Sequence, residues 1–502
     1  MKKIGAILFL AVSATGLFAQ TNNPTGRPLS LTDCFTEALK HNLNLQIEQT
    51  VPQISLYNLQ AAYGGYDPQF VLGGSHSYND NGAYFQNGTA NFPTIDNQNS
   101  FNSGFTGATP WGMSYDLGGN VSEQHVNKTI FGTNIFKFPD SSSGSFGLNV
   151  AQPLLKNFWI DNNRSTILVA KTQLKISEQA LRGQIITTVT AVEIAYYELI
   201  YARENVTVQQ DALVLAQTQL DQDKQRVQIG SVAERDGTIE QDEAQVAQNR
   251  ATLIEAVRIL GTDQRVLKNL LTDEYSKWFN PDLQPTLTLE APLQLFDLQD
   301  SWNKGMTGRP DLMQARLNVE QQGIQLKYYR NQLFPEVDFL GSYGFNGSGN
   351  QYRDSFNQMG DGSRPYYSYG GQLTIPLSNV RARNNLKSVK VTLKQLLLQV
   401  KQLEQTIMVE IDNAVGVARS DYESVDASRQ TRVYAEAALD AEQKKYAVGK
   451  STTFTVLQLQ NKLTAARSQE IRALANYNQA LANLAAAEGS TLQRHNLDVE
   501  VK

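Results

Sequence analysis

Five carboxylates crowd into residues 234–243: Glu234, Asp236, Glu240, Asp242 and Glu243. A second cluster is basic: Lys444, Lys445 and Lys450. The chemistry open to such groups is ion pairing. Asp236 and Glu240 are four apart and share a face if the stretch is helical. Acid set against base would hold two segments together, weakly, since exposed pairs contribute only ~0–1 kcal/mol each. A plain solvated surface would look the same, and that reading stands beside the first. No other set of residues suggests a reactive centre. His41, His76, His125 and His495 are scattered without metal-ligand spacing. Cys34 is the sole cysteine, so no intrachain disulfide forms, and it reads as a small apolar helix residue. There is no phosphate-binding loop, no Gly-x-Ser-x-Gly elbow and no Cys-x-x-Cys. A net charge of −5 gives no reason to expect nucleic acid. The chain is read as not an enzyme, with no cofactor and no metal.

The elements that must position these charges are very long helices meeting at turns. Leu386, Val389, Leu393, Leu396, Val400, Leu403 and Ile407 are spaced alternately three and four apart, which makes a narrow coiled-coil seam. The pattern pauses at Val448-Gly449-Lys450-Ser451-Thr452. Gly449 suits the left-handed conformation that ends a helix, and Ser451 or Thr452 can cap the next. The seam resumes with Val456, Leu459, Leu463 and Ala466, is interrupted by Glu470, and continues through Ala473, Tyr477, Ala480 and Leu484. From Leu386 to Val448 is 63 residues, roughly 95 Å of helix. No ordinary globular core needs that length, so something is spanned.

The helices come twice. Val192-Glu193-Ile194 resembles Val409-Glu410-Ile411, and Ile229-Gly230 corresponds to Val448-Gly449. Pro68 corresponds to Pro335 and Pro153 to Pro376, with extra chain in the first copy between its two prolines. Lys2 and Lys3, an apolar run from Ile4 to Phe18, and small Ala19 have the order of a secretory signal peptide. The expected organisation is thus a signal peptide at 1–19, a first repeat at 20–271 and a linker at 272–296. A second repeat at 297–489 and a tail at 490–502 follow. The prolines of the linker should break any regular element, and Pro52 and Pro310 should break or kink the opening helical segments.

Between each opening segment and the first long helix the period changes from helical to two. Strand candidates are Phe70–Tyr78, Ser145–Ala151, Val337–Phe345 and Tyr367–Ile375. The stretch 79–144 reads as a long Gly/Asn/Ser-rich loop with room for a short hairpin around Trp111–Val121, and its part from Asn91 to Ser143 is expected outside the cell. Two readings fit the alternation: surface hairpins of a soluble protein, or transmembrane β-strands. If the strands span a membrane, four cannot close a barrel, and open edges are not tolerated in lipid. Three chains would pool twelve strands and twelve helices. A structural coiled-coil protein of the cell surface is the competing class; it accounts for the heptads but not for strands placed between helices in both copies.

The chain resembles the TolC-like outer membrane efflux proteins from about Leu29 to Gly489. The resemblance is carried by Arg309-Pro310-Asp311-Leu312, Leu333-Phe334-Pro335-Glu336-Val337, Gln152-Pro153-Leu154 and Ile375-Pro376-Leu377. Ala195-Tyr196-Tyr197 with Leu199, and Tyr446-Ala447-Val448-Gly449, add to it. It implies an α+β membrane protein of the outer membrane. Coiled-coil hairpins would form a periplasmic tunnel, and a transmembrane β-barrel would be shared between chains, with an internal two-fold repeat. It implies a homotrimer that works with a periplasmic adaptor and an inner-membrane transporter to export small molecules or polypeptides. The tips Ile229, Gly230, Ser231, Val232 and Val448, Gly449, Lys450, Ser451 would then dock the adaptor. Members of the family often carry aspartates six and nine residues after the second glycine; here those positions are Thr455 and Gln458. A gate would draw on Glu234, Asp236, Glu240, Lys450, Thr455 and Gln458.

Overall fold

The computed structural model describes residues 26–86, 89–91, 93–130, 134–228 and 237–497. The expected signal peptide lies outside them. The chain packs as two compact units, one from 1–44, 187–296 and 414–486, the other from 45–186, 297–413 and 487–502.

The chain opens with strand β1 (Arg27–Leu29) and helix α1 (Leu31–His41). Ser30 caps α1: its Oγ accepts from Asp33 N at 3.1 Å, and the Asp33 carboxylate accepts from Ser30 N at 3.2 Å. Leu31, Cys34, Phe35 and Ala38 form its buried face. Burial pushes the Cys34 thiol up to about 12. Helix α2 (Leu43–Tyr63) follows. Pro52 lies inside α2 and does not break it. The break falls earlier, at Asn42, which leaves helical dihedrals and whose side chain donates to Leu270 O at 3.0 Å.

Next come β2 (Gln69–Asn81), a small pair β3 (Tyr84–Gln86) and β4 (Thr89–Asn91), then β5 (Thr94–Ala108), β6 (Ser114–Ile130), β7 (Asn134–Lys137) and β8 (Ser141–Pro153). This corrects the expected loop at 79–144. Most of it is strand, and β5 and β6 form a hairpin far longer than 111–121. Their turn is not at the end of the sheet expected to face outward. Gln69, just after α2, pairs with Thr106, and Ala151, at the end of β8, pairs with Ser114. Pro110 in the turn also helps line a cavity of about 740 Å³ with Tyr63, Trp159 and Phe334. The turn at 109–113 therefore lies where the strands meet the helices.

Helices α3 (Asn162–Gln228) and α4 (Thr238–Leu271) form the first long pair. On α3, Ile185, Val189, Val192, Tyr196 and Leu199 are buried at alternating four- and three-residue steps. Among the described residues α3 is the one helix long and apolar enough to cross a membrane, yet 72% of that window is buried inside the protein. Its apolarity is used in packing.

The linker is more regular than its prolines predict. Leu283–Pro285 is strand β9, paired parallel to β1. Pro285 ends the strand, where a missing N–H is tolerated. Tyr196 pins both strands: its hydroxyl donates to Leu29 O at 3.0 Å and accepts from Thr286 N at 3.1 Å. Arg203 donates to Asp282 at 3.1 Å and to Leu283 O at 2.7 Å.

The same order of elements then comes round again. Helices α5 (Leu298–Gly308) and α6 (Pro310–Asn331) break at Pro310, which begins α6 as a good first helical residue. Arg309 binds Asp311 at 2.7 Å and Glu410 at 2.6 Å there. Strand β10 (Glu336–Gly349), helix α7 (Tyr352–Gly360) and strand β11 (Pro365–Thr374) follow. Then come α8 (Val380–Ala447), α9 (Thr453–Glu488) and a last turn, α10 (Thr491–Arg494). On α8, Val389 and Ile407 are buried and the other seam residues half-buried, as the heptad predicts. On α9, Val456, Leu463, Ala466, Ala473, Tyr477, Ala480 and Leu484 are buried. Glu470, which interrupts the seam, is held by Arg432 and by Arg429 at 3.7 Å.

The main sheet runs β11-β10-β8-β6-β5-β2, every neighbour antiparallel, with β7 added to β6. All four predicted strands are found in it, with Ile375 one residue past the end of β11, but the sheet holds two more long strands than predicted. The reason is chemical: β5 and β6 carry glycine and asparagine on both faces, and their aromatics are too sparse to announce a strand.

Candidate functional site

The tip of the second hairpin is fully described. Helix α8 ends at Ala447, and Gly449 takes φ +74°. Lys450 N donates to Lys445 O at 2.9 Å and Gly449 N to Tyr446 O at 3.1 Å, a Schellman turn. A side chain at Gly449 would meet nothing, so the glycine is required by its backbone alone. Thr452 caps α9: its Oγ1 accepts from Thr455 N at 3.4 Å. Ser451 Oγ donates instead to Glu442 Oε1 at 2.6 Å. Val448 and Phe454 stand out into solvent, 68% and 64% exposed.

Of the first tip, Ile229, Gly230, Ser231, Val232, Glu234 and Asp236 lie outside the described residues. The return helix α4 starts after Gly237, at φ +65°. Glu240 and Lys450 are exposed, and no ion pair involving either is seen among the described residues. Lys444 pairs with Asp440 at 2.6 Å and Lys445 with Glu442 at 2.8 Å, each on its own helix. Glu243 pairs with Lys224 at 3.1 Å. Thr455 Oγ1 lies 3.0 Å from Thr452 Oγ1, and Gln458 is exposed.

One charged residue of the first cluster behaves differently. Asp242, read from the sequence as surface charge, is 0% exposed. Neither of its carboxyl oxygens has a hydrogen-bond partner. Beside it is Asp223, 1% exposed, which the sequence reading did not single out. Asp223 joins the two hairpins. Tyr446 of α8 donates to its Oδ1 at 2.6 Å, and Thr453 of α9 to its Oδ2 at 3.1 Å. Gln219 donates to the same Oδ2 at 2.8 Å, and the Tyr446 and Thr453 hydroxyls are 2.7 Å apart. Arg226 lies over the Tyr446 ring at 4.3 Å, with its guanidinium 3.9 Å from Asp223. Leu439, Val456 and Leu463 pack as an apolar cluster against Tyr446.

Burial first, and then the neighbouring Asp223, raise the Asp242 carboxyl to about 7. A shielded carboxyl beside a second one ionises at a cost, so Asp242 holds its proton further up the pH scale. This arrangement can hold two helical hairpins together, and its hold depends on the proton on Asp242. A signal was present in the sequence: Ala212, Ala216, Gln219 and Asp223 step along α3 at seam positions, and a polar residue on a seam fixes register.

The comparisons with known proteins agree with this architecture. The family whose profile matches, described as outer membrane efflux protein, covers residues 113–272 and 306–490. Outer membrane efflux protein BepC of Brucella suis biovar 1 (strain 1330) is 23% identical over 334 residues, 66% of this chain and 69% of that protein. The Campylobacter jejuni CmeC outer membrane channel is similar in structure, with TM-score 0.64 and 16% identity over 92% of this chain and 86% of that one. The open state of the Neisseria gonorrhoeae MtrE outer membrane channel gives TM-score 0.63 and 16% identity over 92% and 89%. At these identities the structural likenesses speak for the fold.

Proposed function

Since the chain belongs to the outer membrane efflux protein family, and is thus an outer-membrane efflux channel reaching into the periplasm, we propose that it works as a homotrimer between a periplasmic adaptor and an inner-membrane transporter. The sheet has two unpaired edges and cannot stay open in lipid, which supports pooling between copies. The turns at 229–232 and 448–451 are the adaptor-docking tips. Exposed Val448 and Phe454 beside the Gly449 turn support this, because apolar side chains standing in water favour a partner.

The gate is the contact between hairpins at the tip. The observation that carries it is Asp223, buried on α3 and hydrogen-bonded by Tyr446 and Thr453 of the second hairpin. A relative described in an open state supports a tip with more than one arrangement. The exposed charges, Glu234, Asp236 and Glu240 with Lys450, add a weaker, salt-screened attraction between neighbouring hairpins. With Thr455 and Gln458 where the family resemblance implies aspartates, the constriction at that level carries no ring of carboxylates.

Tyr446→Phe combined with Asp223→Asn should raise ion conductance in planar bilayers severalfold while insertion and oligomer survive. Unchanged conductance would sink the gate. Gly449→Val tests docking: export should fall with the oligomer intact, and normal export would mean that the second tip is not a working end.

A further inference from the structure

The six long strands share one register, and it sorts their side chains into rows. One row reads Phe70, Phe105, Leu117, Leu148, Tyr343, Tyr367 across β2, β5, β6, β8, β10 and β11. One residue along, on the opposite face, the row reads Gln69, Thr106, Asp116, Asn149, Ser342, Ser368. An entirely apolar row backed by an entirely polar one is the pattern of a wall with lipid on one side and water on the other. The β5–β6 hairpin carries both rows without a gap.

Length agrees. The six strands have 13, 15, 17, 13, 14 and 10 residues, and about 9–11 tilted residues cross a bilayer. The next row on the polar face is nearly bare. Gly104, Gly118, Gly147 and Gly344 are neighbours on four adjacent strands, with Val71 and Tyr366 at its ends. A Cβ on Gly118 would come within 2.7 Å of Gly104 Cα, and one on Gly147 within 3.0 Å of Gly344 Cα. The glycines let these backbones approach, and the hairpin takes part in that contact as fully as β8 and β10 do.

We propose that the β5–β6 hairpin is transmembrane wall and that three copies close a barrel of eighteen strands, not the twelve that four strands per chain would give. Six is even, so the free edges β2 and β11 run in opposite directions and adjoining copies pair antiparallel, with no mismatch at the seam. Diameter grows roughly linearly with strand number, so the bore is ~1.5 times as wide and ~2 times as large in cross-section. Barrels of this class enclose an open aqueous channel. Passage through the outer membrane then places little limit on cargo size, and the helical tips set it. The strand count rests on the trimer reading; the hairpin's place in the wall does not.

Engineered disulfides test that place in full-length protein in outer membranes; native Cys34 is buried and does not interfere. Leu72→Cys with Ser103→Cys should cross-link, as should Leu117→Cys with Leu148→Cys, whereas Leu72→Cys with Phe146→Cys should not. A Leu72–Phe146 link would put β2 directly beside β8 and overturn the proposal. Should paired cysteines block insertion, single spin labels serve. A label at Phe105 or Leu117 should relax with oxygen in preference to a water-soluble nickel chelate, by at least severalfold, and one at Thr106 or Asp116 the reverse. Equal access of the chelate to both faces would also overturn it. The mass of the detergent-extracted oligomer is read separately. Three chains with the expected links give eighteen strands. Any other number sinks the trimer reading and the count with it, while the links still place the hairpin in the wall.

Discussion

Two polar networks join α3 to the second hairpin, and both are built from the same parts. Each has a carboxylate that accepts hydrogen bonds, Glu198 in one and Asp223 at the tip. Each has a second, shielded carboxyl, Asp263 and Asp242. Each has an arginine stacked on a tyrosine, Arg472 on Tyr201 at 3.5 Å and Arg226 on Tyr446 at 4.3 Å. They differ in what the arginine does. Arg472 grips Glu198 with two bonds of 2.8 and 2.9 Å, and Gln479 adds a third at 2.8 Å. Arg226 stays 3.9 Å from Asp223. Burial would raise Glu198, but Arg472 and Gln479 hold it below the usual carboxylate range. Burial and the Glu198 charge push Asp263 up to about 6, and Arg472 restrains that rise. Among the described residues no cation restrains Asp242. Arg472, bound to Glu198 through two hydrogen bonds, makes a rivet; at the tip Asp242 is left to titrate near neutrality.

The largest effect expected from this difference is on pH dependence. With its carboxyl raised, the closed tip holds a proton that an opened tip, with Asp242 back near its ordinary range, releases. Closure is therefore strongest below the ordinary carboxylate range and weakens as pH rises towards about 7. Conductance should climb about tenfold or more between pH 5 and 8, and Asp242→Asn should flatten the climb. An equal climb in the variant would break the contrast between the two networks. Next in size is Arg472→Met. It leaves Glu198 half-buried without its cation and should cost about 2 kcal/mol, discounted for the partial exposure of both groups, read as a lower thermal midpoint. Arg226→Met should cost clearly less, and equal losses would mean that the two arginines do the same work. Smallest is Lys444→Gln, which breaks an exposed pair on one helix; stability and conductance should move by under about 0.5 kcal/mol and twofold respectively. A larger change would give the surface charges a part in closure that the buried cluster is here taken to supply.

The long helices were legible residue by residue. Their seam residues are apolar, regularly spaced and buried by the helix's own periodicity, and even the Glu470 interruption shows in the sequence. The turn at Gly449 was legible because one backbone conformation needs one residue type. The β5–β6 hairpin was not, because its identity lies in register. Phe105 and Leu117 become a row only once the strands are paired, and Gly104 and Gly118 look like loop residues until they face each other. Asp242 looked like its exposed neighbours Glu240 and Glu243 because composition does not record which side of a helix turns inward. The first tip's glycine and acids, 229–236, fall outside the described residues, so the tip comparison rests on Gly449 and its surroundings.

Cys34 gives the molecule an internal clock. Its thiol is fully buried on the inner face of α1, and at a pKa of about 12 almost none of it is thiolate at neutral pH. An alkylating reagent can reach it only when the segment that Ser30 caps and Tyr196 pins lifts away. The rate of modification then counts those openings, one thiol per chain, with no substitution needed. Followed while the tip is opened by pH or by substitution, the same count would report whether loosening at the tip travels along α3 to Tyr196 or stops at the Arg472 rivet.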